Sequence, residues 1–141
     1  MTAMRHWLFK SEPDTWSWDQ QCARGALGEE WVGVRNYQAR NLMRAMAVGD
    51  LGFFYHTQSD KAVVGIVEIM APAHPDSTAP GGVWDCVDLR AVRALPRPVT
   101  LAAIKACAEL ADMALVKSPR LSVQPVTEVQ WAIICKMGGL D

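Results

Sequence analysis

Residues 31–41 read WVGVRNYQARN, and within this stretch a short apolar run passes directly into a strongly polar one. Six of the seven residues at 35–41 carry a guanidinium, amide or phenol group. Asn36 is a favourable helix N-cap, and from there apolar residues recur at helical spacing through Met46. The stretch therefore predicts an amphipathic helix whose start carries a high density of planar hydrogen-bonding groups.

The length and composition predict one domain spanning residues 1–141. Half of the chain is hydrophobic, which at this length supplies a substantial core. The 14 basic residues nearly balance the 15 acidic ones, so no domain-wide positive field is available to hold a long phosphate backbone. Any contact with nucleic acid is therefore expected to be local.

The cysteines predict neither a disulfide framework nor a metal site. Cys22, Cys86, Cys107 and Cys135 are far apart, form no CxxC pair and have apolar neighbours, which is typical of buried, reduced thiols. We expect no metal and no cofactor. His6 and His74 lie beside a strand start and in a proline-rich segment, where surface positions are expected.

The sequence predicts neither an N-terminal signal peptide nor a membrane span. The first 14 residues lack the apolar core of a signal peptide, and no run approaches the roughly 20 apolar residues of a membrane span. We expect a soluble, monomeric, cytoplasmic protein without membrane contact, or a nuclear one in a eukaryotic cell.

Periodicity and turn signals predict strands interspersed with helices, without regular βαβ spacing. The predicted helices begin after the capping residues Ser17, Asn36, Thr100 and Thr127. The predicted strands cover residues 6–10, 51–56, 62–70 and 83–95, with an irregular loop at 71–82 and Pro96 and Pro98 ending the fourth strand. A compact α+β domain built on a mixed, curved sheet is the simplest arrangement of these elements.

Four segments combine apolar or ring side chains with hydrogen-bonding groups at the ends of elements: FKSEP, WVGVRNYQARN, FFYH and RLSVQP. If they converge, the resulting pocket would suit a flat, neutral heterocycle, with Trp31 and Tyr55 for stacking and polar groups for the ring edge. No nucleophile elbow, phosphate-cradling glycine loop or HExxH motif is present.

These segments resemble the EVE domain family, and the similarity extends in order from about Trp7 to Met137. Its most specific parts are GVRNYQARN and RLSVQPV, accompanied by WLFKSEPDTWSWD, VVGIVEI and PDSTA. The resemblance implies a PUA-like fold, a small curved mixed β-barrel with surrounding helices. It also implies a non-catalytic pocket for a modified base in nucleic acid, with modified cytosine in DNA, such as 5-methylcytosine, as the expected ligand and DNA favoured over RNA.

Carried over residue by residue, the resemblance implies a base-binding set and a phosphate-contacting set. The base-binding set is Lys10, Ser11, Glu12, Pro13, Trp31, Val34, Arg35, Asn36, Tyr55, His56, Arg120, Leu121 and Ser122. The phosphate-contacting set is Arg40, Arg44 and Lys10.

Two other functions remain open at the level of sequence. A hydrolase acting on acylated cytidine would follow the related ASCH proteins, with Lys10, Glu12 and His56 as its acid and base groups. A small-molecule or protein-interaction module is compatible with the net charge of −1. A hydrolase would convert an acylated cytidine into a product, whereas a reader leaves its ligand unchanged. A small-molecule module would bind a free heterocycle without any gain in affinity from flanking phosphates.

Overall fold

The computed structural model of the chain describes residues 4–140, so the predicted domain limits at 1 and 141 fall outside it. The strands are β1 (His6–Ser11), β2 (Glu29–Glu30), β3 (Leu51–His56), β4 (Ala62–Pro75), β5 (Asp85–Thr100) and β6 (Val123–Val126). The helices are α1 (Trp18–Ala23), α2 (Tyr37–Arg44), α3 (Leu101–Ala106), α4 (Ala114–Lys117) and α5 (Glu128–Met137). In the described range, no helix is long and apolar enough to cross a membrane.

The six strands form one mixed sheet in the order β2-β5-β4-β3-β1-β6. Strands β1 and β3 are parallel, and the other neighbouring pairs are antiparallel. Strands β3 and β4 form an antiparallel hairpin. Because β1 and β3 run together, their carboxyl ends meet at one edge, where Ser11 is the register partner of His56.

Two strands are longer than predicted. Strand β4 continues to Pro75, through the first five residues of the segment 71–82 that we expected to be an irregular loop. Strand β5 continues past Pro96 and Pro98, so the prediction that they end it is wrong. Residues 95–98 bulge opposite a single residue of β4, and at such a bulge a missing N–H donor breaks no ladder bond.

The predicted helix starts are confirmed by their caps. The side chains of Ser17, Asn36, Thr100 and Thr127 each accept a hydrogen bond from the backbone N–H three residues later. Each such bond satisfies one of the donors that a helix start leaves without an intrahelical partner.

Strand alternation divides the apolar residues between two clusters, one on each face of the sheet. In β1, Trp7 and Phe9 belong to the first cluster and Leu8 to the second. In β3, Phe54 belongs to the first cluster, whereas Phe53 and Tyr55 belong to the second. We call these the cleft-side cluster and the far-side cluster.

The cysteines are free thiols, but they do not share one environment. Cys86 is buried and Cys107 and Cys135 are partly buried, whereas Cys22 is exposed, so its prediction as a core residue is wrong. Cys22 lies on α1 outside the buried stripe of Trp18 and Gln21, and local apolar composition does not reveal which side of a six-residue helix faces the sheet.

Candidate functional site

A cleft of about 540 Å³ brings seven of the 13 predicted base-binding residues together. Those seven are Lys10, Ser11, Glu12, Trp31, Val34, Arg35 and Ser122, and the remaining lining residues are Thr15, Trp16, Glu29, Glu30, Val32 and Gly33. A comparable concavity of about 510 Å³ around Arg5 and Gln130 contains none of the predicted residues. The cleft is therefore the candidate site.

Backbone hydrogen bonds bring the three separate segments of the cleft together. The Lys10 N–H donates to the Ser122 carbonyl at 2.9 Å, which joins the end of β1 to the segment that precedes β6. The Trp31 N–H donates to the Val87 carbonyl at 2.8 Å, which fastens residues 31–35 to β5. The cleft walls are thus extensions of the sheet rather than free loops.

Trp31 forms an apolar wall of the cleft and is anchored in the cleft-side cluster. Its ring makes edge-on contacts with Phe9 and Phe54, with centroid separations of 5.4 and 5.6 Å. Val34 is buried in the same cluster. Packing on two sides fixes the indole, which lowers the entropic cost of using it as a contact surface for a ligand.

Trp16 is a second aromatic residue of the cleft, and the residue-level prediction missed it. Its indole N–H donates to Gln21 Oε1 at 2.9 Å, and its carbonyl accepts from Ser11 Oγ at 2.5 Å. Gln21 is itself anchored by a 2.9 Å bond to the Leu89 carbonyl. The signal was available in the sequence, because Trp16 lies in the WLFKSEPDTWSWD segment that resembles the family.

The residue-level prediction also missed Asp76, a buried carboxylate that accepts hydrogen bonds from Gly33 and Arg35 at the rim of the cleft. Its Oδ2 accepts from the Gly33 N–H at 2.9 Å and from Arg35 Nη1 at 3.1 Å, while its Oδ1 accepts from the Thr78 N–H and hydroxyl. Burial alone would raise the pKa of Asp76, but the bonds from Thr78, Gly33 and Arg35 lower the pKa to about 2. A carboxylate that is charged at neutral pH therefore orients Arg35 at the cleft.

Gly33 allows the backbone to reach that carboxylate. Its φ is +87°, a backbone conformation that residues other than glycine adopt only with strain. The space around its Cα is open, so the requirement is conformational rather than steric. A glycine here lets the chain turn between Trp31 and Arg35 while its N–H points at Asp76.

The charges that line the cleft favour a neutral ligand. Lys10 and Arg35 are balanced by Glu12, Glu29 and Glu30. Burial lowers the pKa of Lys10, and its Nζ donates to the Pro119 carbonyl at 2.6 Å. Three carboxylates repel a phosphate group, whereas an uncharged ring with donors and acceptors at its edge meets no such penalty.

Tyr55 does not line the cleft, and its predicted place there is wrong. The side chain is 3% exposed and packs in the far-side cluster, where burial raises its pKa. Successive strand residues point to opposite faces, so Tyr55 cannot share a face with Phe54 and His56.

His56 lies on the cleft side of β3 but is not among the residues that line the cleft. Its Nε2 accepts from the Trp18 N–H at 3.0 Å, so the proton is on Nδ1, which donates to Asp60 Oδ2 at 2.8 Å. Both ring nitrogens therefore hold structural hydrogen bonds. The histidine joins α1 to the β3–β4 turn, and the prediction that it lines the pocket is wrong.

Four further predicted residues lie outside the cleft lining. Asn36, Arg120 and Leu121 line a separate hollow of about 370 Å³, and Asn36 Oδ1 is occupied as the N-cap of α2. Pro13 is half-buried in the turn beyond Glu12. The Lys10–Pro119 hydrogen bond joins the cleft to this hollow, because Lys10 lines one and Pro119 lines the other.

The predicted phosphate-contacting arginines lie on α2, outside the cleft lining. Arg40 lies 4.9 Å from the Tyr37 ring centroid, and Tyr37 stacks on Trp84 with centroids 4.8 Å apart. Arg35 lies 5.8 Å from the Trp84 ring on the cleft side. Arg44 pairs with Asp85 at 2.6 Å. The contacts among Arg35, Trp84, Tyr37 and Arg40 form a row of side chains that extends from the cleft across an exposed surface.

Comparison with known proteins assigns the chain to a family. The model of the EVE domain matches residues 5–137. The chain belongs to the EVE domain family. Thymocyte nuclear protein 1 of Gallus gallus is 34% identical over 94% of this chain and 68% of its own length.

Solved structures of similar sequence share the fold of this EVE domain. A crystal structure of an Agrobacterium tumefaciens protein is 60% identical, with a TM-score of 0.95 over 96% of this chain and 94% of that one. The crystal structure of human THYN1 protein in complex with 5-methylcytosine-containing DNA is 31% identical, with a TM-score of 0.89 over 97% and 99% of the two chains. The fold is α+β and PUA-like, as predicted.

Proposed function

We propose that this EVE domain is a non-catalytic reader that receives a modified base, a methylated cytosine in DNA, in the cleft. The observation that carries the proposal is the convergence of Trp16, Trp31 and several polar groups on one concave surface. The human THYN1 protein, which shares the fold, is found in complex with DNA containing 5-methylcytosine. The proposal extends that ligand class to the present chain.

The chemistry of the cleft suits a base better than a phosphate. Aromatic rings contact a base face irrespective of its charge, at about 1–3 kcal/mol per stacked base. Ser122, Lys10 and Arg35 supply hydrogen-bonding groups at the cleft wall, and the backbone there is fixed by the sheet. A methyl group on the base adds apolar contact worth about 1–3 kcal/mol, so discrimination by methylation alone should be modest.

The polar side chains support binding over hydrolysis. The acid and base groups of the rival hydrolase would be Lys10, Glu12 and His56, but both nitrogens of His56 are engaged with Trp18 and Asp60. The Ser11 hydroxyl donates to the Trp16 carbonyl and has no base partner among the bonds that it makes. A nucleophile requires a base within hydrogen-bond reach.

The test is a calorimetric titration with short DNA strands that differ only in one cytosine, which is unmodified, 5-methylated or 5-hydroxymethylated. Matched RNA strands and free nucleosides complete the panel. We expect the methylated DNA to bind most tightly and Trp31→Ala to weaken its binding about 5-fold or more, in line with the loss of a stacking contact. Trp131→Phe, on the far side of the sheet, is the matched aromatic control and should leave binding unchanged.

Each alternative outcome overturns the proposal in a different way. A folded protein that binds no member of the panel is not a base reader. Cleavage of an acylated cytidine by the same preparation would establish the hydrolase. Free nucleoside binding as tight as that of the strand would show that flanking phosphates contribute nothing, as expected for a small-molecule module.

Arg40 provides a separate test of the strand contact. Within the proposal, Arg40, Arg44 and Lys10 keep their predicted role beside the flanking phosphates. Each lost phosphate contact should reduce the slope of log K against log salt by about 0.7 to 1. Titration of Arg40→Ala over a range of salt concentrations measures this change, with Arg97→Ala, beside the C-terminal end of α5, as the control.

A further inference from the structure

Four side chains with metal-ligand chemistry meet beside the cleft. They are Glu30, His74, Cys86 and Asp88, and one ligand atom from each lies within 4.8 Å of the others. They come from three strands that are hydrogen-bonded neighbours in the sheet. His74 is the register partner of Cys86, and Glu30 is the register partner of Asp88.

The strand register explains why the four side chains share a face. Cys86 and Asp88 are two residues apart on β5, so both point to the same side of the sheet. Direct cross-strand partners point the same way, which adds His74 from β4 and Glu30 from β2. The cluster is therefore built on paired strands, a rigid framework for holding ligand atoms.

Three of the donors form a triangle of the size that a zinc ion requires. Cys86 Sγ lies 3.8 Å from Glu30 Oε1 and 3.9 Å from His74 Nδ1, and His74 Nδ1 lies 4.0 Å from Glu30 Oε1. A point equidistant from three such corners lies about 2.3 Å from each, against Zn–S and Zn–N or Zn–O bonds of about 2.3 and 2.0–2.2 Å. A small shortening of the distances between the three donor atoms would bring all of them to bonding distance from the ion.

Asp88 occupies the place of a second-layer partner. Its Oδ1 lies 2.7 Å from His74 Nε2. A zinc-bound histidine usually donates its other ring N–H to a carboxylate or carbonyl, which fixes its tautomer and orientation. The arrangement leaves His74 Nδ1, which also lies 3.2 Å from the Pro75 carbonyl, as the nitrogen available to a metal.

We propose that Glu30, His74 and Cys86 bind one Zn²⁺ ion, with Asp88 orienting His74 and a water molecule completing a four-coordinate site. Asp88 holds Nε2 of His74, and the other ring nitrogen, Nδ1, lies 3.9 Å from Cys86 Sγ on the side of the proposed ion. Binding displaces the thiol proton to water, and the Zn–S bond replaces the S–H bond.

Access and charge are both suitable for this ion. The side chains of His74, Glu30 and Asp88 are 34%, 37% and 34% exposed, so the ion can enter from solvent, while Cys86 lies buried beneath them. The carboxylates of Glu30 and Asp88 lie beside Cys86 and attract a divalent cation.

The rival interpretation is a hydrogen-bonded ion network without a metal. In that state His74 is protonated and donates to Asp88, a bond that raises the pKa of His74. The two interpretations differ in one measurable property, because only the first predicts saturable, stoichiometric binding of Zn²⁺ that depends on Cys86.

The test is calorimetric titration of the chelator-treated, full-length chain with Zn²⁺, together with Co²⁺ absorption spectra. We expect one ion per chain and a thiolate-to-cobalt charge-transfer band. Cys86→Ser should remove the band and weaken Zn²⁺ binding about 100-fold or more, and Asp88→Asn should weaken it about 10- to 100-fold. Cys22→Ser, which removes an exposed thiol elsewhere, should bind Zn²⁺ like the wild type.

Glu30→Gln keeps the experiment decisive if Cys86→Ser does not fold, because Glu30 is half-exposed and its replacement should spare the core. It should weaken Zn²⁺ binding about 10-fold or more. A folded wild-type chain that binds no Zn²⁺ stoichiometrically overturns the proposal, as does a cobalt band that survives in Cys86→Ser. These titrations contain no nucleic acid, so their outcome does not test the proposed base binding.

Discussion

The two faces of the sheet use aromatic residues differently. On the far side, Phe53 and Trp131 stack with centroids 3.9 Å apart, and Tyr55 is packed beside apolar side chains of the same cluster. On the cleft side, Trp31 is packed equally well from behind but borders open space in front, and Trp16 joins it there. On this side, polar groups at the ends of elements, such as Lys10, Ser11 and Arg35, converge beside the two indoles.

This comparison indicates that a functional aromatic residue is recognised by its unpacked side rather than by its burial. Trp31 is 8% exposed and Tyr55 is 3% exposed, so burial hardly distinguishes them. The distinction lies in whether the sheet face meets helices only or also meets strand ends that carry hydrogen-bonding groups. Substitutions on the two faces should therefore separate effects on stability from effects on binding.

The largest expected effect is on the far side. Phe53→Ala removes a fully buried ring and should lower the free energy of unfolding by about 3–5 kcal/mol, because the cavity left behind cannot collapse fully. Urea denaturation followed by circular dichroism measures the loss. Val129→Ala, on the exposed side of α5, is the control and should change stability by about 0.5 kcal/mol or less. A similar loss in both variants would contradict the assignment of Phe53 to the core.

The next effect concerns the rim of the cleft and depends on pH. The pKa of Asp76 is lowered from 3.8 to about 2 in the folded state, so its contribution is fully present above pH 3.8 and is lost as the pH falls towards 2. The shift corresponds to about 2 kcal/mol. Urea denaturation at a series of pH values should show this loss in the wild type and a shallower one in Asp76→Asn.

Asp14→Asn is the matched control for that series, since Asp14 is an exposed carboxylate near the same cleft. It should follow the wild-type profile between pH 4 and 2. If the Asp76→Asn profile also coincides with that of the wild type, the hydrogen bonds to Gly33 and Arg35 do not stabilise the charged carboxylate, and the proposed control of the cleft rim is wrong.

A smaller effect separates binding from stability on the cleft side. Trp16→Ala should weaken binding of a methylated strand by about 1 kcal/mol, roughly 5-fold, because Trp16 is half-buried and offers only part of a stacking face. Fluorescence anisotropy with a labelled strand measures this change. Trp131→Phe, on the far side of the sheet, should retain the affinity, and equal weakening in both variants would argue against a direct contact by Trp16.

The smallest effect tests the correction on β3. Tyr55→Phe should leave affinity for the methylated strand unchanged within about 0.3 kcal/mol, because the ring lies in the far-side cluster. The same titration as for Trp16→Ala provides the measurement. A loss of 5-fold or more, in a protein as stable as the wild type, would restore Tyr55 to the site and contradict the division between the two faces.

The sequence predicted local structure and family membership well. Helix starts followed from capping residues such as Ser17 and Thr127, because a cap and its partner lie only three residues apart. The site was predicted in part. Segments such as KSEP and WVGVRN did converge, but Tyr55 and His56 were assigned to the pocket as a pair although neighbouring strand residues lie on opposite faces.

The sequence by itself therefore determined the capped helices, the alternating strands and the membership of the EVE domain family. Only the tertiary structure decided that Asp76 reaches Gly33 across 43 positions and that Trp16 enters the cleft. The same holds for Glu30, His74, Cys86 and Asp88, which meet only through strand pairing. The physical reason is range: caps and alternation depend on neighbours along the chain, whereas register and the packing of faces depend on contacts between distant segments.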